Sequence, residues 1–210
     1  MRHRYSTAVM QPAPRIAAES LLPLPQYQRQ RAQLRAQAIA HRSRHRLGLG
    51  PAMWLQFEDE VSVRHQIQEV LHAERIVERL AVQHTIEHFA QLLGDARQWR
   101  ATLFIGLPEA ARRERELPQL SEAAHHLYLD CGAGPRVVAE ANEDLPDRHR
   151  ARPSAVHFLR FELPPAMRAA LRAGQTALLG CAHPAYAWQR RMPEPLLQSL
   201  CDGLQAGAAP

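Results

Sequence analysis

Two spacings of carboxylate and imidazole in the chain invite a metal ion. Glu69 and His72, in EVLH, copy the Glu-x-x-His step with which helix bundles hold paired iron ions. His84 and His88 stand four apart, the step of zinc-binding histidines on a helix, but the glutamate of H-E-x-x-H would fall at Thr85. Both sets are incomplete. A di-iron bundle needs a second such motif and further inward glutamates, so Glu69 and His72 read first as a pair on a solvated helix face.

A stronger set consists of residues that their own elements carry inward. In VSVRHQIQEVLHAERIVERLAV, residues 61–82, Val63, Ile67, Val70, Val77 and Ala81 recur every three or four positions, the period of a helix with one apolar stripe. Ser62 is the expected N-cap. At about 100° per residue, Glu74 falls about 20° from Val63, inside the stripe, while His65, His72 and Arg79 fall about 160–200° away. Glu74 is therefore expected to be buried, and a buried carboxylate needs a partner.

Strand alternation supplies candidates for that partner. In SAVHFLRFEL, residues 154–163, His157 shares a face with Leu159, Phe161 and Leu163, and in TALLGCAH, His183 shares one with Ala177, Leu179 and Cys181. Brought together, Glu74, His157 and His183 would form a 2-His-1-carboxylate set, which suits iron, zinc or another divalent metal. The alternative is a buried polar network that holds sheet and helix in register. Arg160 and Glu162 fall on the opposite strand face, as an exposed ion pair or an anion contact.

The totals remove several chemistries. All 26 basic residues are Arg, so Schiff-base and lysine-base mechanisms are excluded. The 3 cysteines, Cys131, Cys181 and Cys201, lack any C-x-x-C spacing and fit a reducing compartment. No phosphate-cradling glycine loop and no G-x-S-x-G occurs. The basic N-terminus lacks the apolar run of a signal peptide, and no window reaches membrane-spanning length, which makes the cytoplasm the default expectation with no membrane association.

Charge points to a partner. Net charge is +5, and between residues 21 and 57 there is no acidic residue at all. Arg31, Arg35 and Arg42 fall within about 40° on the first helix and form a basic stripe, fit for an acidic protein, such as a redox protein, or for phosphates. Aromatic residues interleave that stripe only at Tyr27, which ranks an acidic protein partner before RNA or DNA.

The elements that must position these residues suggest one α+β domain with a mainly antiparallel sheet of about six short strands, packed by about five or six helices. Residues 1–20 read as a flexible leader, 21–206 as the domain and 207–210 as a tail. A helix runs from Pro25 and stops at Gly48 and Gly50; strands follow at 53–59 and 99–107, and Cys131 to Gly134 joins two strands as a hairpin. Residues 142–153 form a charged loop. A strand at 154–163, a helix ending at Gly174, a strand at 175–184 and a last helix complete the chain.

RLGLGPAMWLQFEDE, QIQEVLHAERI, ATLFIGLP, SAVHFLRFEL and CAHPAY together resemble a bacterial family called domain of unknown function three-five-zero-one, from about Leu21 to Leu200. The resemblance marks Gln66, Glu69, Glu74, His157, Arg160, Glu162, His183 and Tyr186 as motif positions. It also implies a redox setting, since family members are often encoded beside rubrerythrin-like and iron-sulfur oxidoreductase proteins. This chain departs from the family at His72, usually Arg, and at Phe89 and Ala90, where a Tyr-Asn pair is usual. The expectation is thus a redox-associated accessory or metal-binding protein; an Arg-rich interaction module comes second and nucleic-acid binding third.

Overall fold

The computed structural model describes residues 16–141 and 153–206. Most of the expected leader, the expected tail and nearly all of the charged loop fall outside these residues. The chain runs α1 (Leu24–Arg44), β1 (Arg46–Leu49), β2 (Met53–Phe57), α2 (Glu60–Ala73), α3 (Arg79–Ala90), β3 (Gln98–Ile105) and α4 (Ala110–Ala123). It continues through β4 (Leu127–Asp130), β5 (Val137–Val138), β6 (Glu140–Ala141), β7 (Val156–Glu162), α5 (Pro165–Arg172), β8 (Leu178–His183), β9 (Tyr186–Arg191) and α6 (Glu194–Ala206).

The fold is α+β, with two antiparallel sheets in place of one. The first has the order β1-β2-β3-β7-β6, the second β5-β4-β8-β9. The chain crosses between them at Ala139, whose N–H donates to Leu127 O while β5 pairs with β4 and β6 with β7. Leu47, Leu55, Phe57, Leu103, Leu159 and Phe161 from the inner face of the first sheet join Leu127, Leu129 and Leu179 from the second in the main core, with Met167, Leu171 and Leu196 from the helices. Each such side chain contributes about 1.5–3 kcal/mol of burial.

A smaller core lies under α2 and α3, where Val63, Ile67, Leu71 and Ile86 meet Ile16. Ile16 is fully buried, and Ala18–Ser20 forms a 3-10 turn. Ala18 packs against this core, while Ala17, Glu19 and Ser20 are exposed.

The helix expected over 62–82 is two helices. Asp59, and not Ser62, is the N-cap: its carboxylate accepts from Ser62 N, and Ser62 Oγ accepts from Asp59 N, a capping box. At the other end Arg75 adopts φ 54°, and Ile76 N donates to Leu71 O. That six-to-one bond and the left-handed residue make a Schellman stop, and Ile76 packs with Leu71 in the smaller core. The stripe arithmetic fails beyond Ala73 because the helix has ended.

α1 likewise stops at its C-cap His45, so Gly48 belongs to β1 rather than to a helix end. Gly50, at φ 66°, turns the hairpin from β1 to β2, and a Cβ there would sit 2.7 Å from the Tyr186 hydroxyl oxygen. That hydroxyl donates to Leu49 O and accepts from Ala52 N and Met53 N. Tyr186, on β9, thereby ties the second sheet to the β1–β2 turn of the first.

Candidate metal centre

His41 and His45 occupy successive turns at the end of α1, and the capping box places Asp59 opposite them at the start of α2. His41 Nε2 is 2.5 Å and His45 Nε2 is 3.4 Å from Asp59 Oδ2. The two rings stack at 4.3 Å between centroids. Of the described residues, only these three form a group of His, Cys, Asp or Glu ligands, with donor atoms all within 4.8 Å of one another. Tetrahedral bonds of about 2.0–2.2 Å to one ion would put donors about 3.3–3.6 Å apart, so the His45–Asp59 distance already fits and His41 would move back by about 1 Å.

The surroundings prepare the donors. His45 is buried, and its Nδ1 donates to His41 O at 3.1 Å, which leaves a lone pair on Nε2. Ser199 Oγ, from α6, lies 2.9 Å from that nitrogen and donates to it, a bond that an ion on Nε2 would displace. Asp59 commits Oδ1 to the helix cap, and Oδ2 is hydrogen-bonded to His41 Nε2, a bond that an ion between them would replace.

Two hollows meet at this trio. A cleft of about 310 Å³ is lined by His45, Asp59, Glu58, Trp99, Arg100 and Asp202, among others. A groove of about 470 Å³ between α1 and α2 is lined by His41, Tyr27, Leu34, Ala38 and His65, among others. The ligands sit between two openings, so an ion held there would have room for further small ligands.

Beside the trio runs a charged network along the same seam. Glu58 is buried on the outer face of the first sheet, where Ser62, Gln66 and Thr102 donate to its carboxylate. Burial raises its pKa, against the Ser62 and Thr102 hydrogen bonds and the charge of Arg42. Glu69 accepts from Tyr27 Oη at 2.6 Å and from two nitrogens of Arg31 at 2.7 and 2.8 Å. The Arg31 bonds chiefly hold its carboxyl pKa down at about 2.

The three residues expected as ligands are not brought together. Glu74 is exposed at the C-cap of α2, a correction to its expected burial that follows from the helix stop at Arg75. His157 is buried as alternation predicts, 3% exposed, but its Nε2 bonds Ser154 O at 2.9 Å and lies 3.3 Å from Ser121 Oγ. His183 lies in the other sheet, half-buried; its Nδ1 accepts from Ala185 N, and its ring meets His126 edge-on.

The other expected positions divide in the same way. Arg160 pairs with Glu140 across the β6–β7 register, and not with Glu162, which is exposed. Gln66 and Glu69 belong to the seam network, Tyr186 to the sheet junction. Of the basic stripe, Arg31 is turned onto Glu69, Arg42 is half-buried near Glu58, and Arg35 is exposed, so the stripe borders α2 rather than standing clear. His84 and His88 are both exposed. The sequence signal for the trio was HRSRH, an i,i+4 histidine pair closing a helix, with FEDE one hairpin further on.

The fold and the family agree. The family profile described as "Protein of unknown function (DUF3501)" matches residues 15–204, and the chain belongs to that family. It is similar to a crystal structure described as a novel protein of unknown function from Burkholderia pseudomallei, at 35% identity and a TM-score of 0.83. That match covers 90% of this chain and 98% of the other. No match is found among curated proteins. No helix among the described residues is long and apolar enough to cross a membrane.

Proposed function

We propose that this protein binds a divalent metal ion, iron or zinc by donor type, through His41 Nε2, His45 Nε2 and Asp59 Oδ2. The supporting observation is the convergence of three donors of the right types from two helices, with the His45 tautomer set for coordination. Two imidazoles and one carboxylate leave coordination positions open, as in sites that bind a second reactant at the metal. The cleft and the groove are the routes to those positions. A place as an accessory to redox proteins is the finer part of the reading, and it rests on the family resemblance.

The test is the metal content of protein made without a histidine tag, prepared both with and without oxygen, beside H45A and H157A variants. About one equivalent in wild type and in H157A, with loss in H45A, supports the reading. Metal-free wild type from both preparations overturns it.

A further inference from the structure

Away from the seam, the outer face of β1, β2 and β3 carries aromatic rings and arginines together. Register aligns Gly48, Trp54, Phe104 and Val156 in one row across four strands. Trp54 and Phe104 stack at 5.5 Å and 11°. The Arg46 guanidinium lies 4.4 Å over the Trp54 ring.

Arg190 extends this surface onto the second sheet. Its Nη1 donates to Gly48 O, and a Cβ on Gly48 would stand 3.3 Å from that nitrogen. Two residues earlier on β9, Trp188 lies over Gly50 and is 49% exposed. The glycines let both side chains lie flat against β1. β1, β2, β3 and β9 contain no acidic residue, and Arg46 and Arg190 lie beside these rings. The exposed Trp188 ring and the half-buried Trp54–Phe104 pair, beside fixed cations, suit a ligand with flat π-faces and a polyanionic backbone.

We propose that this face binds single-stranded nucleic acid, with bases stacked on Trp188 and on the Trp54–Phe104 pair and phosphates held by Arg46 and Arg190. Duplex fits poorly, because its bases are not free to stack on side chains. An acidic protein would use the arginines but leaves the paired rings without a counterpart. The three rings come from β2, β3 and β9, not from the basic stripe on α1. This proposal is independent of the metal centre.

Fluorescence anisotropy on the full chain tests it, with labelled oligo(U) and oligo(dT) of about 12 nucleotides and a duplex of the same length. The single strands are expected to bind more tightly than the duplex, and W188A to weaken binding at least about fivefold, with W188F largely restoring it. With about two phosphates neutralised, affinity is expected to fall about sevenfold between about 50 and 200 mM salt, and R46Q to flatten that slope. Since Trp188 is half exposed, W188A tests the idea even if W54A fails to fold. The proposal is overturned by any of four results: no binding at low salt, equal binding of duplex, an unchanged W188A, or polyglutamate competing as well as oligonucleotide.

Discussion

Replacing Asp59 separates its two roles. One carboxylate oxygen caps α2 through Ser62 N at 2.8 Å; the other faces His41 and His45. D59N keeps a good N-cap, D59A does not, and both remove the charged ligand. Without metal, D59A should therefore be about 1 kcal/mol less stable than D59N, about 2–4 °C in Tm for a chain of this size. With free Zn²⁺ at about 100 times the wild-type Kd, wild type gains about 2.7 kcal/mol, or about 5–10 °C. A variant bound about 100-fold more weakly gains only about 0.4 kcal/mol, near 1 °C. Thermal scans of the three proteins, with and without Zn²⁺, measure both effects. Equal Tm for the two variants in chelator would refute the cap, and a wild-type-sized Zn²⁺ shift in either would refute the ligand role.

Three further outcomes follow from the hydrogen bonds. The Glu69 carboxyl sits at about 2 in the fold against an ordinary 4.5, so its stabilisation is complete above about pH 4.5 and is lost as pH falls towards 2. In urea titrations the gap between wild type and E69Q should close across that window; a gap unchanged down to about pH 2.5 contradicts it. Y186F strips the Tyr186 bonds to Leu49 O, Ala52 N and Met53 N, and should cost about 1–3 kcal/mol in chemical denaturation; no measurable loss counts against the sheet junction. H157A should lower stability by about 2 kcal/mol or more through a cavity and a lost hydrogen bond, while a bound metal stays in place.

Local periodicity was legible wherever an element ran uninterrupted. Alternation in β7 placed His157 correctly in the core, and the glycines after Cys131 marked the β4–β5 hairpin. It failed where backbone geometry cut a pattern short. The apolar spacing runs on past Ala73, but Arg75 in a left-handed conformation ends α2, and Glu74 moves from the expected core to solvent. β1 and β9 escaped notice because one contains a glycine that reads as a helix stop, and the other exposes five of its six residues. The site was least legible, since Asp59 reaches His41 and His45 only through a hairpin and a capping box. Sequence spacing carries no record of that return.

The most direct measurement is an anomalous difference map from a crystal grown with Zn²⁺ or, without oxygen, Fe²⁺. One peak is expected about 2.0–2.2 Å from His41 Nε2, His45 Nε2 and Asp59 Oδ2. A peak elsewhere with this trio empty, or no peak at full metal loading, would contradict it.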